Sequence, residues 1–480
     1  RVGDVIRHPN LFAVRSSGDP NGVNADLDPA HNFTAFDLND IDRIVVAVVV
    51  QNRDAITPGQ GRFKGLPDDI ALVFQNHQTE NLHHHHLIPD PHRGHCYPSR
   101  HVRPTPYPHS WMPADAMIDK VKIFGAGSIG NHMAHAARTL GWSVDICDVD
   151  SDALARTRDQ IYPSRYGSWD QSIGLYDTAT VPAGGYDLIV IGTPPDLHMS
   201  LALTALEERP AAILIEKPAS TPLSDLDQQV HDRALELGVR VFVGYDHVVG
   251  QASHRFGEYV ATGDTGTTRT LDVEFREYWG GIFAAHPWLD GPADSYLGYW
   301  RRGGGALGEH SHALNMWQHM AHLVGAGRVV QVSAMLDIVS DGQAEYDRLA
   351  ALHLVTENGL CGRVVQDVVT QPTRKWARLQ GEHGYVEWIA GHEPGADAVV
   401  HATGNAPGET ELFHKTRPDD FIVELEHIER HVAEATPSPL DLSRGLDTML
   451  VIAAAHRSHR EQRAVRIDHQ QGYNIKSLTA

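Results

Sequence analysis

The residues best suited to chemistry stand in four short motifs between residues 125 and 315 of this 480-residue chain. In the first, a glycine-rich turn follows a short apolar run and opens a helical pattern. Such a turn lets a pyrophosphate approach the backbone, and the helix N-terminus supplies free N–H donors. Asp148 ends the next predicted strand, 18 residues past the last glycine, where a carboxylate can accept hydrogen bonds from an adenosine ribose. The predicted dinucleotide contacts are Gly125, Gly127, Ser128, Ile129, Gly130 and Asp148.

The acid at position 148 also bears on which dinucleotide binds. A carboxylate there repels a 2′-phosphate, and sites for the phosphorylated cofactor usually place an arginine nearby. The residues that follow, Val149 to Asp152, add two more acids and no arginine. The sequence therefore favours NAD(H) over NADP(H).

The second motif, Thr193-Pro-Pro-Asp-Leu-His198, lies directly after the predicted strand Asp187–Ile191. Two prolines hold the chain extended at the carboxyl edge of the sheet, where ligands bind in open α/β folds. By spacing alone, an ordinary strand-to-helix loop is an equally good interpretation. If this loop binds the cofactor, its contact residues are Thr193, Pro194, Pro195 and His198.

The third motif, Glu216-Lys217-Pro218, follows the predicted strand Ala211–Ile215. A lysine at the carboxyl edge of a strand can hydrogen-bond a substrate hydroxyl, and its charge can favour formation of an alkoxide. Taken alone, an exposed Lys-Pro loop is the commoner interpretation. In combination with the other motifs, we expect Lys217 to act in catalysis and Glu216 and Lys217 to line the cofactor site.

These motifs, in this order and spacing, are similar to those of the Gfo/Idh/MocA oxidoreductases. From about Asp119 to its end the chain resembles that family, and Leu446–Ser458 and Val465–Asp468 resemble the family's terminal helix and strand. The resemblance implies a dinucleotide-binding domain followed by an open, mostly antiparallel sheet whose face lines the active site. It also implies hydride transfer between nicotinamide and a carbinol carbon of a carbohydrate, sugar derivative or cyclitol.

The fourth motif runs from Trp300 to Asn315 and contains a glycine run followed by a helical pattern. In the family, such a run leads into a helix that carries an Asp and then a His one turn apart, and the histidine is the usual proton shuttle. Counted from the glycines, this segment is one residue short, so that Glu309 takes the position of the Asp. His312 matches the shuttle best, because Asn315 falls where a family Asp often follows. His310 is the rival shuttle.

Residues beside these motifs complete the predicted substrate site. Tyr245, Asp246 and His247 end the last alternating strand, where family members often carry a polar residue that contacts cofactor or substrate. Arg301 and Arg302 can bind a phosphate or carboxylate, and solvated surface arginines are an equally good interpretation. The predicted catalytic residues are Lys217, His312 and Glu309, and the predicted substrate contacts are Tyr245, Trp300, Arg301 and His310. The alternative function is a non-catalytic dinucleotide sensor or protein-binding member of the same fold.

The elements that must position these motifs differ along the chain. Between residues 119 and 247, continuously apolar strands alternate with helices, which predicts an α/β fold with a Rossmann-type, doubly wound parallel sheet. From residue 248 to 480, strand patterns without intervening helices indicate an α+β domain with an open, mostly antiparallel sheet. Those strands are predicted at 268–279, 329–339, 350–356 and 360–370, and helices at 306–323, 421–435 and 442–459.

Residues 1–118 are predicted to form a small, β-rich extension ahead of these two domains. Two β-branched runs, Arg43–Val50 and Ile70–Phe74, indicate strands, and the proline-rich stretch 102–118 indicates an extended linker. Four adjacent histidines, His83–His86, precede His92, His95 and Cys96 and can in principle bind Zn²⁺ or Ni²⁺. Adjacent side chains cannot all point one way, so a solvated loop is favoured and no metal site is predicted.

Composition narrows the class of protein. The 40 basic and 61 acidic residues give a net charge of −21, which together with the lack of a basic patch predicts no nucleic-acid partner. The longest apolar run, Ile44–Val50, is far shorter than the ~20 residues of a membrane span. Three cysteines, Cys96, Cys147 and Cys361, are too few for a disulfide framework. We expect a cytoplasmic homo-oligomer that acts on a small-molecule substrate, without a membrane partner.

Overall fold

The computed structural model describes residues 117–222, 224–285, 289–340 and 342–479, together with four short strands nearer the N-terminus. By its internal contacts the chain divides into two compact units, residues 1–101 and 102–480. The histidine cluster His83–His86, with His92, His95 and Cys96, and the linker up to residue 116 lie outside the described residues.

The first unit contains a four-stranded sheet with the order β1-β2-β3-β4. β1 and β2 are antiparallel, whereas β2 and β3, and β3 and β4, run parallel. β3 and β4 fall within the two runs that the sequence indicates as strands, and β1 and β2 are additional. The strands are β1 (Gly3–His8), β2 (Leu11–Arg15), β3 (Val45–Val48) and β4 (Ala71–Phe74).

A six-stranded parallel sheet with the order β10-β9-β8-β5-β6-β7 begins the second unit. The chain starts in the middle and winds outward in both directions, so the predicted doubly wound topology is confirmed. Every residue of β8, β9 and β10 is buried, because helices cover both faces of the sheet. The strands are β5 (Lys120–Phe124), β6 (Ser143–Asp148), β7 (Gly174–Asp177), β8 (Leu188–Ile191), β9 (Ala212–Ile215) and β10 (Arg240–Val243).

The helices of this layer are α1 (Ser128–Thr139), α2 (Ser151–Arg156), α3 (Tyr162–Tyr166), α4 (His198–Glu207) and α5 (Asp227–Leu237). After Ser151 the helical segment forms in pieces, with a π-helical turn, Thr157–Ile161, between α2 and α3. At this turn, the Thr157 hydroxyl donates to the Ala126 carbonyl at 2.5 Å and accepts from the Asn131 amide at 3.1 Å. The turn therefore fastens α2 to the glycine-rich loop.

A ten-stranded sheet follows, with the order β18-β17-β16-β15-β11-β14-β13-β12-β19-β20. Only β11 and β14 pair in parallel within it, so the predicted mostly antiparallel sheet is confirmed. Its strands are β11 (Thr268–Arg276), β12 (Val329–Ser340), β13 (Glu345–Thr356), β14 (Cys361–Asp367), β15 (Arg374–Gly381), β16 (Gly384–Glu393), β17 (Ala396–Thr403), β18 (Glu409–His414), β19 (Val465–Ile467) and β20 (Leu478–Thr479).

Besides the helices that the sequence predicted at 306–323, 421–435 and 442–459, this part of the chain contains two that it did not indicate, α6 (Gln251–Thr262) and α7 (Gly280–Ala285). α6 has only three buried residues, Ala252, Ser253 and Phe256, and this sparse apolar face explains why the sequence did not indicate it. Within the described residues, no helix is both long and apolar enough to cross a membrane. The helices are α6 (Gln251–Thr262), α7 (Gly280–Ala285), α8 (Gly305–Glu309), α9 (Ser311–Leu323), α10 (Asp419–Glu434) and α11 (Leu442–Glu461).

The prediction of a single helix over residues 306–323 is wrong, because the helix is interrupted at His310 and forms two helices, α8 and α9. Close packing holds α8 as a separate helix. A Cβ on Gly308 would lie 1.9 Å from the Gly303 carbonyl oxygen, and the Leu307 N–H donates to the Asp347 carboxylate of β13 at 2.7 Å. Glu309 and His312 therefore do not share one continuous helix.

The glycine turn after β5 offers a sharp test of this packing. A Cβ on Gly130 would lie 2.0 Å from the backbone oxygen of Gly125, whereas a Cβ on Gly127 would meet no atom within 4 Å. Gly130→Ala should lower the free energy of unfolding by roughly 1–3 kcal/mol, the usual cost of overpacking. Gly127→Ala, the matched control, should change it by less than about 1 kcal/mol. Urea denaturation of both variants measures the difference, and equal losses would contradict the explanation.

Candidate active site

The first three motifs singled out from the sequence, and Tyr245, meet at one edge of the parallel sheet. The glycine turn follows β5, and Asp148 ends β6. Thr193, Lys217 and Tyr245 come just after β8, β9 and β10. Since neighbouring parallel strands end at the same edge, residues that are far apart in sequence become neighbours there.

The glycine turn is shaped for a ligand that approaches the backbone. Gly125 has a φ of +107°, and a Cβ there would lie 2.7 Å from the Gly192 carbonyl oxygen, so the turns after β5 and β8 touch. The Asp148 carboxylate accepts a hydrogen bond from the Ala126 N–H at 2.8 Å, which holds it beside the turn. Space remains open at Gly127, and α1 has no acid in its first turn. These residues fit the pyrophosphate and ribose of a dinucleotide.

Arg165 of α3 is a feature of this loop that the sequence did not indicate. Its guanidinium donates to the Ser128 carbonyl at 2.9 Å and to the Ser128 hydroxyl at 2.8 Å. This contact adds a positive charge to the N-terminus of α1, where the helix dipole already favours an anion. No local pattern could reveal Arg165, because only the fold carries α3 back along α1.

His198, predicted as a cofactor contact, is buried between two loops. Its Nδ1 lies 3.0 Å from the Pro218 carbonyl oxygen, and its Nε2 lies 2.7 Å from the Thr193 carbonyl oxygen. Burial lowers the pKa of this imidazole. The ring therefore ties the turn after β8 to the turn after β9, which positions Thr193 and Lys217 relative to each other.

Lys217 and Glu309 form an ion pair that joins the end of β9 to α8. The Lys217 ammonium lies 3.2 Å from a Glu309 carboxylate oxygen and donates to the Glu309 backbone carbonyl at 3.0 Å. Their side chains are only 15% and 16% exposed, so water weakens the attraction little. The acid expected beside the proton shuttle thus binds the lysine.

His312 has a different carboxylate partner, Asp246. The Nδ1 of His312 lies 3.7 Å from the Asp246 carboxylate, whose same oxygen is 2.6 Å from the Nδ1 of His247. The two imidazoles stack at a centroid distance of 4.5 Å, and the Tyr245 ring meets His312 edge-on at 5.5 Å. Asp246 and His247 are thus central to the site, although the sequence indicated them, together with Tyr245, only as pocket candidates.

Burial and charge set the protonation of this group. Burial, and then the neighbouring His247, lower the pKa of His312 well below its usual range, so its ring is neutral near pH 7. Burial opposes ionisation of Asp246, but the charge and the hydrogen bond of His247 hold the pKa of Asp246 well below its usual value. A neutral imidazole beside an ionised carboxylate can accept a proton from a hydroxyl.

Glu216 has its carboxylate in the interior, beside Gly244. Burial raises its pKa to about 7, and burial also raises the pKa of Glu424 on α10 well above its usual range, with Glu216 and Asp246 adding to the effect. One oxygen of Glu216 and one of Glu424 have no hydrogen-bond partner among the described residues. Two buried acids that can take up a proton, Glu216 and Glu424, therefore lie near enough to Asp246 for their charges to interact.

Not all of the remaining predicted substrate contacts lie near Lys217 and His312. The Trp300 ring stacks on His456 of α11 at 4.3 Å, and Arg301 is exposed and pairs with Glu345 at 2.5 Å. The structure therefore does not bring Trp300 and Arg301 together with Lys217 and His312. His310 is buried, and burial, followed by the charge of Lys375, lowers its pKa to about 4.

Comparison with known proteins bears on the fold and the family. A family model described as an oxidoreductase family with an NAD-binding Rossmann fold matches residues 120–245, and a GFO/IDH/MocA C-terminal domain matches residues 254–387. No curated protein matches the sequence.

Several solved structures share the fold at low sequence identity. A levoglucosan dehydrogenase in complex with NADH has a TM-score of 0.60 at 16% identity, covering 72% of this chain and 98% of its own. The aldose-aldose oxidoreductase from Caulobacter crescentus, complexed with glycerol, has 0.59 at 19%, covering 73% and 100%. The WlbA dehydrogenase from Bordetella pertussis, in complex with NADH and UDP-GlcNAcA, has 0.54 at 19%, covering 72% and 98%. The chain belongs to the Gfo/Idh/MocA family of NAD-binding oxidoreductases.

Proposed function

We propose that this protein is an NAD(H)-dependent dehydrogenase or reductase that acts on a carbinol carbon of a carbohydrate, sugar derivative or cyclitol. The observation that carries the proposal is the joint placement of Lys217 and His312 at the sheet edge that also holds the glycine turn. Structures with this fold include levoglucosan dehydrogenase in complex with NADH and levoglucosan, and an oxidoreductase complexed with glycerol. These likenesses support a substrate rich in hydroxyl groups.

The cofactor would lie along the carboxyl edge of the parallel sheet. The N–H groups at the start of α1, beside Gly127, Ser128 and Ile129, would hold its pyrophosphate. Asp148 would accept hydrogen bonds from the adenosine ribose, which favours NAD(H) over NADP(H). Bound nicotinamide supplies the hydride acceptor or donor. The turn at Thr193 and the Lys217 ammonium would border the nicotinamide end.

The chain's own residues would handle the proton and the developing charge. As hydride leaves the carbinol carbon, the hydroxyl must give up its proton, and His312 accepts it at Nε2 because Nδ1 faces Asp246. The Lys217 ammonium stabilises negative charge on the substrate oxygen. Asp246 orients the His312 ring and favours its protonated form, since an opposite charge nearby raises a histidine pKa.

We further propose that residues 119–247 bind the cofactor, that residues 248–480 supply the substrate side, and that residues 1–118 are a separate extension. The homo-oligomeric state and the cytoplasmic location stay predictions. The site holds both a lysine and a histidine suited to proton transfer. This argues against the alternative function, dinucleotide sensing without turnover.

Cofactor choice is tested at Asp148. Asp148→Ala removes a charged hydrogen-bond acceptor, so NADH affinity should fall roughly 10–100-fold while NADPH affinity falls less or rises. Calorimetric titration with both cofactors measures the change. Asp152→Ala, an exposed acid in the first turn of α2, is the matched control and should leave both affinities nearly unchanged. NADPH binding to the unmodified protein as tightly as NADH would contradict the prediction.

The proton shuttle is tested by comparing three variants. His312→Ala should lower kcat roughly 10²–10⁴-fold with little change in NADH affinity, the usual size of a general acid–base contribution. Asp246→Asn should lower kcat less and move the acid limb of the pH profile for oxidation to lower pH, because the His312 pKa falls without the carboxylate. If His310→Ala is inactive and His312→Ala is active, the roles of these histidines are reversed.

The role of Lys217 is tested with a substitution that keeps the length of the side chain. Lys217→Met should fold and bind NADH but lose most of its turnover, because no charge then stabilises the substrate oxygen. The partner Glu309 keeps some solvent access, at 16% exposure, so the unpaired acid should not prevent folding. Lys120→Met, which alters a half-exposed lysine on β5, is the control. Steady-state kinetics of the soluble variant measures its turnover. Full activity of Lys217→Met would show that the role of this lysine is structural.

A further inference from the structure

Three side chains that can bind a metal ion meet beside the sheet edge. Asp246 and His247 are neighbours in the turn after β10, and His312 stands in the first turn of α9. One oxygen of the Asp246 carboxylate lies 2.6 Å from the Nδ1 of His247 and 3.7 Å from the Nδ1 of His312. One ligand atom from each residue lies within 4.8 Å of the others, and no other group of three His, Cys, Asp or Glu side chains within the described residues does so. We call these three residues the His-Asp-His cluster.

The spacing in this cluster fits one small divalent ion. Zinc binds nitrogen at ~2.0–2.1 Å and oxygen at ~2.0–2.2 Å, so two ligand atoms on one tetrahedral ion stand roughly 3.3 Å apart. The two measured separations bracket that value, and small rotations of the side chains can close the difference. Two imidazoles with one carboxylate suit Zn²⁺ and similar transition-metal ions, whereas Mg²⁺ and Ca²⁺ prefer a shell of oxygen ligands.

The Nδ1 of His312 is the atom that such an ion would satisfy. This nitrogen is buried and has no hydrogen-bond partner among the described residues, because 3.7 Å to Asp246 is too long for a hydrogen bond. Leaving a buried polar atom without a partner costs free energy. The ring is held in place by the His247 ring, stacked at 4.5 Å, and by the Tyr245 ring, which meets it edge-on at 5.5 Å. The nitrogen is therefore positioned toward Asp246 before any ion arrives.

Two of the three ligands can be reached from solvent. Asp246 and His247 line a cavity of about 260 Å³, so a hydrated ion can approach them and keep water in an open coordination position. The Lys415 ammonium in this cavity lies 2.9 Å from the carboxylates of both Asp397 and Asp420 and is therefore neutralised. The excess of acids in the lining attracts cations. Besides Asp246, these acids are Asp397, Asp419 and Asp420.

The lysines near His312 do not set a free positive charge against such an ion. The charges of Lys217 and Lys375 act on the His312 ring, and each lysine has its own acid. Lys217 lies 3.2 Å from Glu309, and Lys375 lies 2.6 Å from Glu277. Because both pairs are neutral overall, neither lysine repels a cation at full strength.

We propose that the His-Asp-His cluster binds a divalent transition-metal ion of the Zn²⁺ type, and that this ion blocks the reaction. A neutral imidazole carries one proton, so an ion on the Nδ1 of His312 leaves that proton on Nε2. The Nε2 nitrogen can then no longer accept the proton of a substrate hydroxyl. The ion is thus an inhibitor that takes His312 out of proton transfer, not a resident cofactor. The block rests on the proposed function, whereas binding of the ion does not.

Zinc binding is measured by calorimetry on the full chain. The four histidines His83–His86 can bind zinc themselves, so each is first changed to Ala. We expect this background protein to bind one Zn²⁺ at the cluster and no Mg²⁺. His247→Ala and His312→Ala should each weaken zinc binding at least roughly 10²-fold, because even groups that only orient a ligand contribute ~10–100-fold.

His401→Ala is the matched control. It removes an imidazole that stacks on Tyr259 at 4.5 Å and lies outside the cluster, so the zinc affinity should not change. Titration with NADH shows that every variant is folded. Zinc affinity that is the same in the control and in both cluster variants overturns the proposed site, as does the absence of zinc binding from the background protein.

Activity measurements then test the block. With the best-oxidised member of a panel of sugars and cyclitols, saturating ZnCl₂ should lower kcat roughly 10²-fold or more, the usual contribution of a general base, and EDTA should restore it. His247→Ala keeps the proton acceptor, so the zinc concentration that halves its turnover should rise by the same factor as its zinc affinity falls. Zinc that occupies the cluster without lowering kcat overturns the block and the role of His312 as proton acceptor. The calorimetry needs no substrate, so it tests the site even if the proposed activity fails.

Discussion

The ion pair between Lys217 and Glu309 is the interaction on which the site depends. It ties the edge of the parallel sheet to α8, and α8 is in turn fixed to the ten-stranded sheet through the Asp347 carboxylate. A largely buried ammonium needs a partner, because an unpaired charge loses its hydration without compensation. The pairing therefore fixes where the lysine points, and it links the orientation of Lys217 to α8, the short helix that precedes the helix of His312.

Much of the fold could be predicted from sequence because burial leaves a clear pattern. β8, β9 and β10 are buried on both faces and therefore appear as continuous apolar runs. β15–β18 were missed, since each has a partly exposed face and their residues alternate with charged and small side chains. The break at His310 was also missed, because it depends on the contact between Gly308 and the Gly303 carbonyl, and a helical pattern contains no such information.

The sequence indicated the right region for the site but not which charged side chains pair within it. Lys217, Glu309 and His312 were all expected there, and their placement together follows from the ends of the strands and the glycine run. The partners differ from the expected ones: Glu309 binds the lysine, and Asp246 approaches the histidine. Which carboxylate pairs with which basic group depends on the distances between helices and strands, and only the folded structure sets those distances. The same holds for Arg165, which meets the glycine turn from another helix.

The separation of Glu309 from His312 has a consequence for the charge balance of the site. Glu309 ends α8 and neutralises the Lys217 ammonium, whereas Asp246, just after β10, is the carboxylate beside the His312 ring. Each basic group thus has its own acid, so a proton taken up by His312 is balanced without drawing a carboxylate away from Lys217.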